Sequence, residues 1–544
     1  MVASHKCTIF AREKYITATM RYDAKTKCPQ TQKAAGGRNL LCFLSLFLMF
    51  CAAAIYRALL YGNEPYANLL LVALSSAVLS FFLTAMRPYW LFVLLSIPLM
   101  WLSGNETFVV VVYRHYMKAM NVVSMFITNT TESGSFISNN LLAILCDVPI
   151  VVLWLVALWA KRTSRPLGYK TFAASGALLV LFLAFTWETK LMDLPPFNLP
   201  LQYYRGYAIN QKIAQAASGP HITPDCQQLN PGEREAYVLF IGESVVYDHL
   251  SLAGYNRPTT PLMDGRDNLT LFTDYMTNAT LTLLAAPMLM TDATTDDFFR
   301  SYSGVNSLQV FGACGFKTFV LVCTNHLEYD TYLTTSADEV ISVGKDIDIP
   351  AKVDSLTNIY PKTFFIVQGL GNHCYFYNFE EQDNLFTPNP YYGPSAQSDS
   401  LYYNAYDCTL RYTDRVVDGV INAIDKEGMT SLMLFASDHG ENVNPGDERR
   451  SVSMNPMRSE YHVPLIIWRS QTWIEQNPEK EQCILAAKDR PTNTDNVFYT
   501  LCDAASILLP DSLSKPEWAI TSPTFTQHKR TLLTPDGKTI LELD

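Results

Sequence analysis

Five apolar stretches crowd the first 187 residues, at roughly 40–60, 67–86, 89–104, 140–160 and 170–187. A helix crosses a bilayer with about 20 apolar residues, and somewhat fewer suffice. These runs predict five membrane-spanning helices. The third is short and contains Pro98, and only Arg87 and Pro88 part it from the second, which predicts a tight hairpin. Lys6, Arg12, Lys14, Arg21, Lys25, Lys27, Lys33 and Arg38 precede the first span, and Lys161, Arg162, Arg165 and Lys170 lie between the fourth and fifth. Basic flanks stay on the cytoplasmic side. An odd number of spans then leaves everything after about residue 190 outside. The first run is long, starts about 40 residues in and lacks a small-x-small site, so it does not read as a cleaved signal peptide. Asp147 sits near the outer end of the fourth run, where a charge reads as either interfacial or functional. The outer loop 105–139 is long enough to rest on the membrane surface.

Charge divides at the same boundary. Residues 1–189 carry 16 Lys/Arg against 7 Asp/Glu, and the remainder 25 against 44, giving +9 and −19. So acidic an outer part argues against a nucleic-acid partner. Of twelve cysteines, Cys42, Cys51 and Cys146 lie in apolar runs. Seven follow residue 190 (Cys226, Cys314, Cys323, Cys374, Cys408, Cys483 and Cys502), an odd number that cannot all pair within one chain. No Cys-x-x-Cys occurs, which argues against a thiolate zinc site.

Residues 190–235, rich in Pro, Gln and Tyr, read as a linker with a helix near 205–217. Short apolar runs then recur at 237–241, 318–322, 364–367, 432–435 and 464–468, with helical patterns between them. Continuous apolar strands alternating with helices predict an α/β outer domain, its mostly parallel sheet flanked by helices. Gly242, Glu243 and Ser244 follow the first run, 369–373 the third and 437–442 the fourth. In open α/β sheets ligands bind beyond the carboxyl ends of the strands. Glu243, His373, Asp438 and His439 are therefore expected at one sheet edge. Two carboxylates and a histidine there suit a zinc ion, which takes N and O ligands tetrahedrally.

Glu243 within Ile-Gly-Glu-Ser, the stretch 251–261 (SLAGYNRPTTP) and Ser437 to Glu441 together resemble the phosphoethanolamine transferases of the alkaline phosphatase–sulfatase superfamily. Asn455 to Arg458 and Tyr461 to Pro464 are similar to the branch that modifies lipopolysaccharide core heptose. Five spans followed by an outer domain match as well, so the resemblance covers nearly all of the chain except the tail before residue 40. It implies an alkaline-phosphatase-like fold with a cytoplasmic tail (1–38), a transmembrane domain (39–189), a linker (190–235) and a periplasmic catalytic domain (236–544). It also implies a threonine that is both nucleophile and zinc ligand, about 40 residues after the glutamate. Thr282 fits best within Thr277 to Pro287, and Thr280 is the runner-up. The run Leu281 to Met290 predicts a helix whose free N–H groups favour a phosphate.

The implied ligands are Glu243, Thr282, Asp438 and His439. Thr282 and His373 are the implied catalytic groups, and His373 and His462 the implied substrate contacts. The implied reaction moves phosphoethanolamine from phosphatidylethanolamine to a lipopolysaccharide or other envelope glycan, outside the bacterial inner membrane. A related phosphotransferase or hydrolase with another headgroup, such as glycerol phosphate, is the alternative. No Cys/Ser-x-Pro-x-Arg motif is present, which argues against a sulfatase. Three departures stand out. Tyr247 replaces a basic residue, with His249 close by. Residues 442–453 lack a histidine that a second metal would use. Asn278 and Met288 stand where lipid A-modifying relatives carry cysteines, which argues against lipid A as acceptor.

Overall fold

The computed structural model describes residues 29–62, 65–113, 115–127, 141–187, 189–218, 223–323, 336–373, 379–387, 399–444 and 455–543. They form two compact units, Met1–Val111 with Ala143–Leu201, and Val112–Leu142 with Gln202–Asp544.

The first unit contains five helices long and apolar enough to cross a membrane: Gly37–Tyr61, Tyr66–Ala85, Tyr89–Tyr113, Ala143–Thr163 and Tyr169–Thr186. Their interior is built from Leu46, Met49, Phe50, Leu83, Phe92 and Ala157, while Leu70, Trp90 and Leu181 face outward. The third helix runs past its expected end at 104, through Pro98, to Tyr113. It tolerates Glu106 because that carboxylate is buried and accepts a hydrogen bond from Asn198 Nδ2 at 3.1 Å. Asp147 is the residue before the helix Val148–Thr163 and packs against Gly104, where a Cβ would stand 3.6 Å from its Cγ.

In the second unit, helix α1 (Ala119–Ile127) lies in a stretch expected to be loop, and α2 (Asn198–Ala217, from Gln202 onward) extends the helix expected near 205–217 in the linker. Their apolar faces explain why they are ordered. Ala119, Met120 and Val123 of α1 and Ile209 and Ile213 of α2 share one buried cluster with Leu283, Leu284 and Met288. Those last three belong to α3 (Thr282–Met290).

The seven-stranded sheet consists of β1 (Glu235–Gly242), β2 (Leu269–Phe272), β3 (Lys317–Cys323), β4 (Glu339–Val343), β5 (Lys362–Gln368), β6 (Thr430–Ser437) and β7 (Leu465–Arg469). Its spatial order is β2-β7-β6-β1-β5-β3-β4. Four neighbouring pairs are parallel, and β7 alone runs opposite, pairing antiparallel with both β6 and β2. Strand β1 shows why the runs are continuously apolar: Tyr237, Leu239 and Ile241 enter one core, and Val238 and Phe240 the other. Helix α4 (Asp399–Ile424) covers the second face through Tyr406, Leu410 and Val417. A short helix α5 (Arg458–Tyr461) stands over the carboxyl end of β6. A Cβ on Gly440 would lie 1.9 Å from the Ser459 carbonyl oxygen, so that approach admits only glycine.

Candidate active site

Register brings the first two groups together. β1 lies between β6 and β5, with Gly242 opposite Ser437 and Ile241 opposite Gln368. Glu243 and Asp438, each the next residue of its chain, emerge side by side. Ser244 then takes a left-handed conformation (φ 56°). Such a backbone costs of order 1–3 kcal/mol in a non-glycine residue and persists only when its surroundings fix it. Here the Ser244 N–H donates to Asp438 Oδ1 at 3.0 Å and its hydroxyl to Glu243 Oε1 at 2.7 Å, and the Tyr406 hydroxyl donates to its carbonyl. The turn thereby fixes both carboxylates.

Thr282 arrives from a segment tied to the same edge. The Thr277 hydroxyl donates to the Asp438 carbonyl, and the Thr277 N–H to the Tyr461 carbonyl. Thr282 is the first residue of α3, preceded by Leu281 in extended conformation. Its hydroxyl donates to Glu243 Oε2 at 3.3 Å and lies 3.1 Å from His439 Nε2. His439 Nε2 in turn stands 3.7 Å from Glu243 Oε1 and 3.6 Å from Asp438 Oδ2. Thr280 is buried too, but its hydroxyl has no hydrogen-bond partner among the described residues and does not meet this group.

Glu243, Asp438 and His439 are the one cluster of metal-binding donors among the described residues. Tetrahedral zinc with ligands at about 2.0–2.1 Å sets neighbouring donor atoms roughly 3.3 Å apart, close to the spacings here. Asp438 Oδ2 is buried without a hydrogen-bond partner, a costly state for a carboxylate oxygen and the one expected of a ligand atom. His439 Nδ1 lies 2.7 Å from the Gly440 carbonyl. An N–H donated there leaves Nε2 with its lone pair toward the cluster. Burial disfavours a charged ring, but Asp438 and Glu243 outweigh it and push His439 up to about 9, so a cation held here would take the place of the Nε2 proton. The donor set thus fits zinc in type, spacing and unmet valence.

The two remaining histidines stand differently. His373 ends a turn closed by its own N–H to the Leu370 carbonyl (2.9 Å), one residue beyond Asn372, whose N–H donates to the Glu243 carbonyl (3.1 Å). Its side chain is half-buried. His462 is buried and turned aside: Nε2 lies 3.1 Å from the Thr273 carbonyl, and its ring packs tilted against Tyr247, centroids 4.4 Å apart. Its Nδ1 has no partner among the described residues, and burial above all lowers its pKa.

The stretch 251–261, the most specific part of the pattern, turns out to be a clamp. Asp407 of α4 is fully buried and receives Tyr255 Oη at 2.9 Å and Arg257 Nη1 at 2.8 Å, with His249 Nδ1 at 2.8 Å from its other oxygen. His249 therefore does not replace the missing base at Tyr247, because Asp407 holds it. Asp407→Ala is expected to strand three polar partners and cost about 1–3 kcal/mol, the usual penalty for leaving buried donors without an acceptor. Denaturant unfolding would measure it, with the zinc content of the folded fraction unchanged.

Such a fold and site define a class. The sulfatase family profile matches residues 235–507, half of the chain, and the chain belongs to that family. It is similar to the phosphoethanolamine transferase EptC of Escherichia coli K12, 24% identical over 483 residues that cover 79% of this chain and 82% of that one. The Kdo(2)-lipid A phosphoethanolamine 7''-transferase of the same strain is 26% identical over 277 residues, covering 47% and 48%. Among solved structures, the integral membrane protein lipooligosaccharide phosphoethanolamine transferase A of Neisseria meningitidis superposes with a TM-score of 0.69 at 19% identity, covering 88% of this chain and 97% of that one. The C-terminal periplasmic domain of E. coli EptC gives 0.53 at 24%, covering 60% and 96%. The fold is thus a helical membrane domain joined to an alkaline-phosphatase-like domain.

Proposed function

We propose that this chain transfers phosphoethanolamine from phosphatidylethanolamine to a lipopolysaccharide or other envelope glycan, through a phosphorylated Thr282. The observation that carries this is the contact of the Thr282 hydroxyl with Glu243 and His439 at the start of α3. A free hydroxyl is a weak nucleophile and needs activation. Helix N-termini, with their unpaired N–H groups, favour the phosphate it would attack. The relatives above support the headgroup, and the periplasmic domain of E. coli EptC has been solved with zinc. Zinc held by Glu243, Thr282, Asp438 and His439 would supply a Lewis acid that lowers a hydroxyl pKa and neutralises phosphate charge.

The chain's own groups then divide the work. As Thr282 Oγ attacks phosphorus its proton passes to the Glu243 carboxylate to which the hydroxyl donates, the bond to the diacylglycerol oxygen breaks, and His373 gives that oxygen a proton. An acceptor hydroxyl next attacks the phosphothreonine and passes its proton to His373, while the departing Thr282 oxygen recovers its proton from Glu243. The role the resemblance assigns to His462 is a contact with the acceptor. A lipid donor is consistent with five spans, and the basic flanks support a catalytic domain on the periplasmic side of a bacterial inner membrane.

Intact mass of the full chain in detergent tests this. Exposure to phosphatidylethanolamine is expected to add about 123 Da, one phosphoethanolamine on threonine. No gain in zinc-loaded protein would exclude this donor, whereas a gain of about 154 Da with phosphatidylglycerol would make glycerol phosphate the headgroup.

A further inference from the structure

We infer that Asp346 is a positioning residue for His373, an assignment that rests on the transferase function proposed above. Asp346 does not belong to the loop that carries His373. It lies just beyond β4, at the same sheet edge, and is buried. Its two oxygens take two consecutive N–H groups of that loop, Oδ1 from Leu370 at 3.0 Å and Oδ2 from Gly371 at 2.9 Å. Hydrogen bonds to an ionised acceptor are about twice as strong as neutral ones, and two on adjacent amides fix the peptide plane between them.

The approach is close enough to dictate sequence. A Cβ on Gly369 would stand 2.7 Å from Asp346 Oδ2. Gly371 has φ 44°, and a Cβ there would lie 3.2 Å from Glu243 Cβ. Immediately beyond, Asn372 donates to the Glu243 carbonyl and His373 to the Leu370 carbonyl. The segment is therefore pinned from two sides, by the Asp346 carboxylate and by the backbone of the proposed ligand Glu243. His373 leaves directly from the pinned turn. A general acid gains its effect only when its proton points at the leaving oxygen, and a misplacement of about 1 Å can cost roughly a hundredfold. Asp346 touches neither substrate nor metal donors in this account. It sets where the His373 backbone begins.

Asp346→Asn tests the assignment in the full-length protein, because an amide of the same shape can accept from only one of the two N–H groups. Hydrogen exchange at Leu370 and Gly371 is expected to quicken. The rate of adduct formation is expected to fall about ten- to a hundredfold, with zinc content unchanged. Gly369→Ala presses on the same carboxylate from the loop side and should give the same pair of effects. In a His373→Gln background, Asp346→Asn should cost less than twofold more, since the two act as one unit. Unchanged exchange at 370–371, or equal losses with and without His373, would overturn the assignment. A wild-type protein that forms no adduct would instead overturn the transferase function itself, and exchange would still report whether Asp346 holds the loop.

Discussion

Full-length Thr282→Ala is expected to gain no mass from phosphatidylethanolamine, and its transfer rate to fall by about three orders of magnitude or more. Removing a nucleophile removes the covalent route altogether. What survives elsewhere is the modest acceleration from binding and charge placement. The same change should spare part of the metal affinity, because Glu243, Asp438 and His439 still converge without the threonine. Activity should therefore drop far more than zinc content does. Thr280→Ala supplies the contrast. Its hydroxyl is buried two residues earlier and meets none of the three donors, so the adduct should form at a rate near that of wild type. An adduct that persists in Thr282→Ala and vanishes in Thr280→Ala would reverse the two roles.

The distinction between these threonines marks the limit of what the amino-acid sequence discloses. Glu243, Asp438 and His439 were legible because each follows a strand that is apolar on both faces, and parallel register delivers strand ends to one edge. Thr282 was reachable only through resemblance, since a run of threonines before an apolar helix does not say which hydroxyl turns toward a carboxylate. Strands β2 and β4 went unread for a different reason. Both are edge strands, and β4 is largely solvent-facing, so neither carries the continuous apolar run of the central strands. The reversed direction of β7 was equally hidden, because residue pattern records burial and not polarity. Asp346, Ser244 and Asp407 act through partners far along the chain. Only the paired glycines at 369 and 371 hinted that something approaches that loop closely. Helix α1 lies in the expected outer loop because its nine-residue apolar run is too short to read as a span. Helix α2, expected only near 205–217, starts at Asn198, where Pro, Gln and Tyr obscure the helical pattern.

Metal removal should be the second large effect, and Asp438 explains how to read it. A ligand that binds only the folded state stabilises it by about 2.7 kcal/mol at a hundred times its Kd. For a domain of this size that corresponds to roughly 5 °C in Tm, which chelation should abolish and zinc restore. Asp438→Asn separates this from any general loss of fold. Asp438 Oδ1 accepts from the Ser244 and His439 N–H groups, and an amide oxygen can keep both bonds. The amide nitrogen would occupy the place of Oδ2, a buried oxygen that accepts no hydrogen bond among the described residues and stands 3.6 Å from His439 Nε2. The variant should therefore melt at or above the metal-free wild type and ignore zinc, with no adduct on Thr282. The sign of the change is informative, since an aspartate kept for the fold would leave a protein that melts lower when replaced. If Asp438→Asn binds zinc stoichiometrically and gains the same Tm as wild type, the metal does not sit at this cluster, and activation of Thr282 must come from Glu243 and His439 alone.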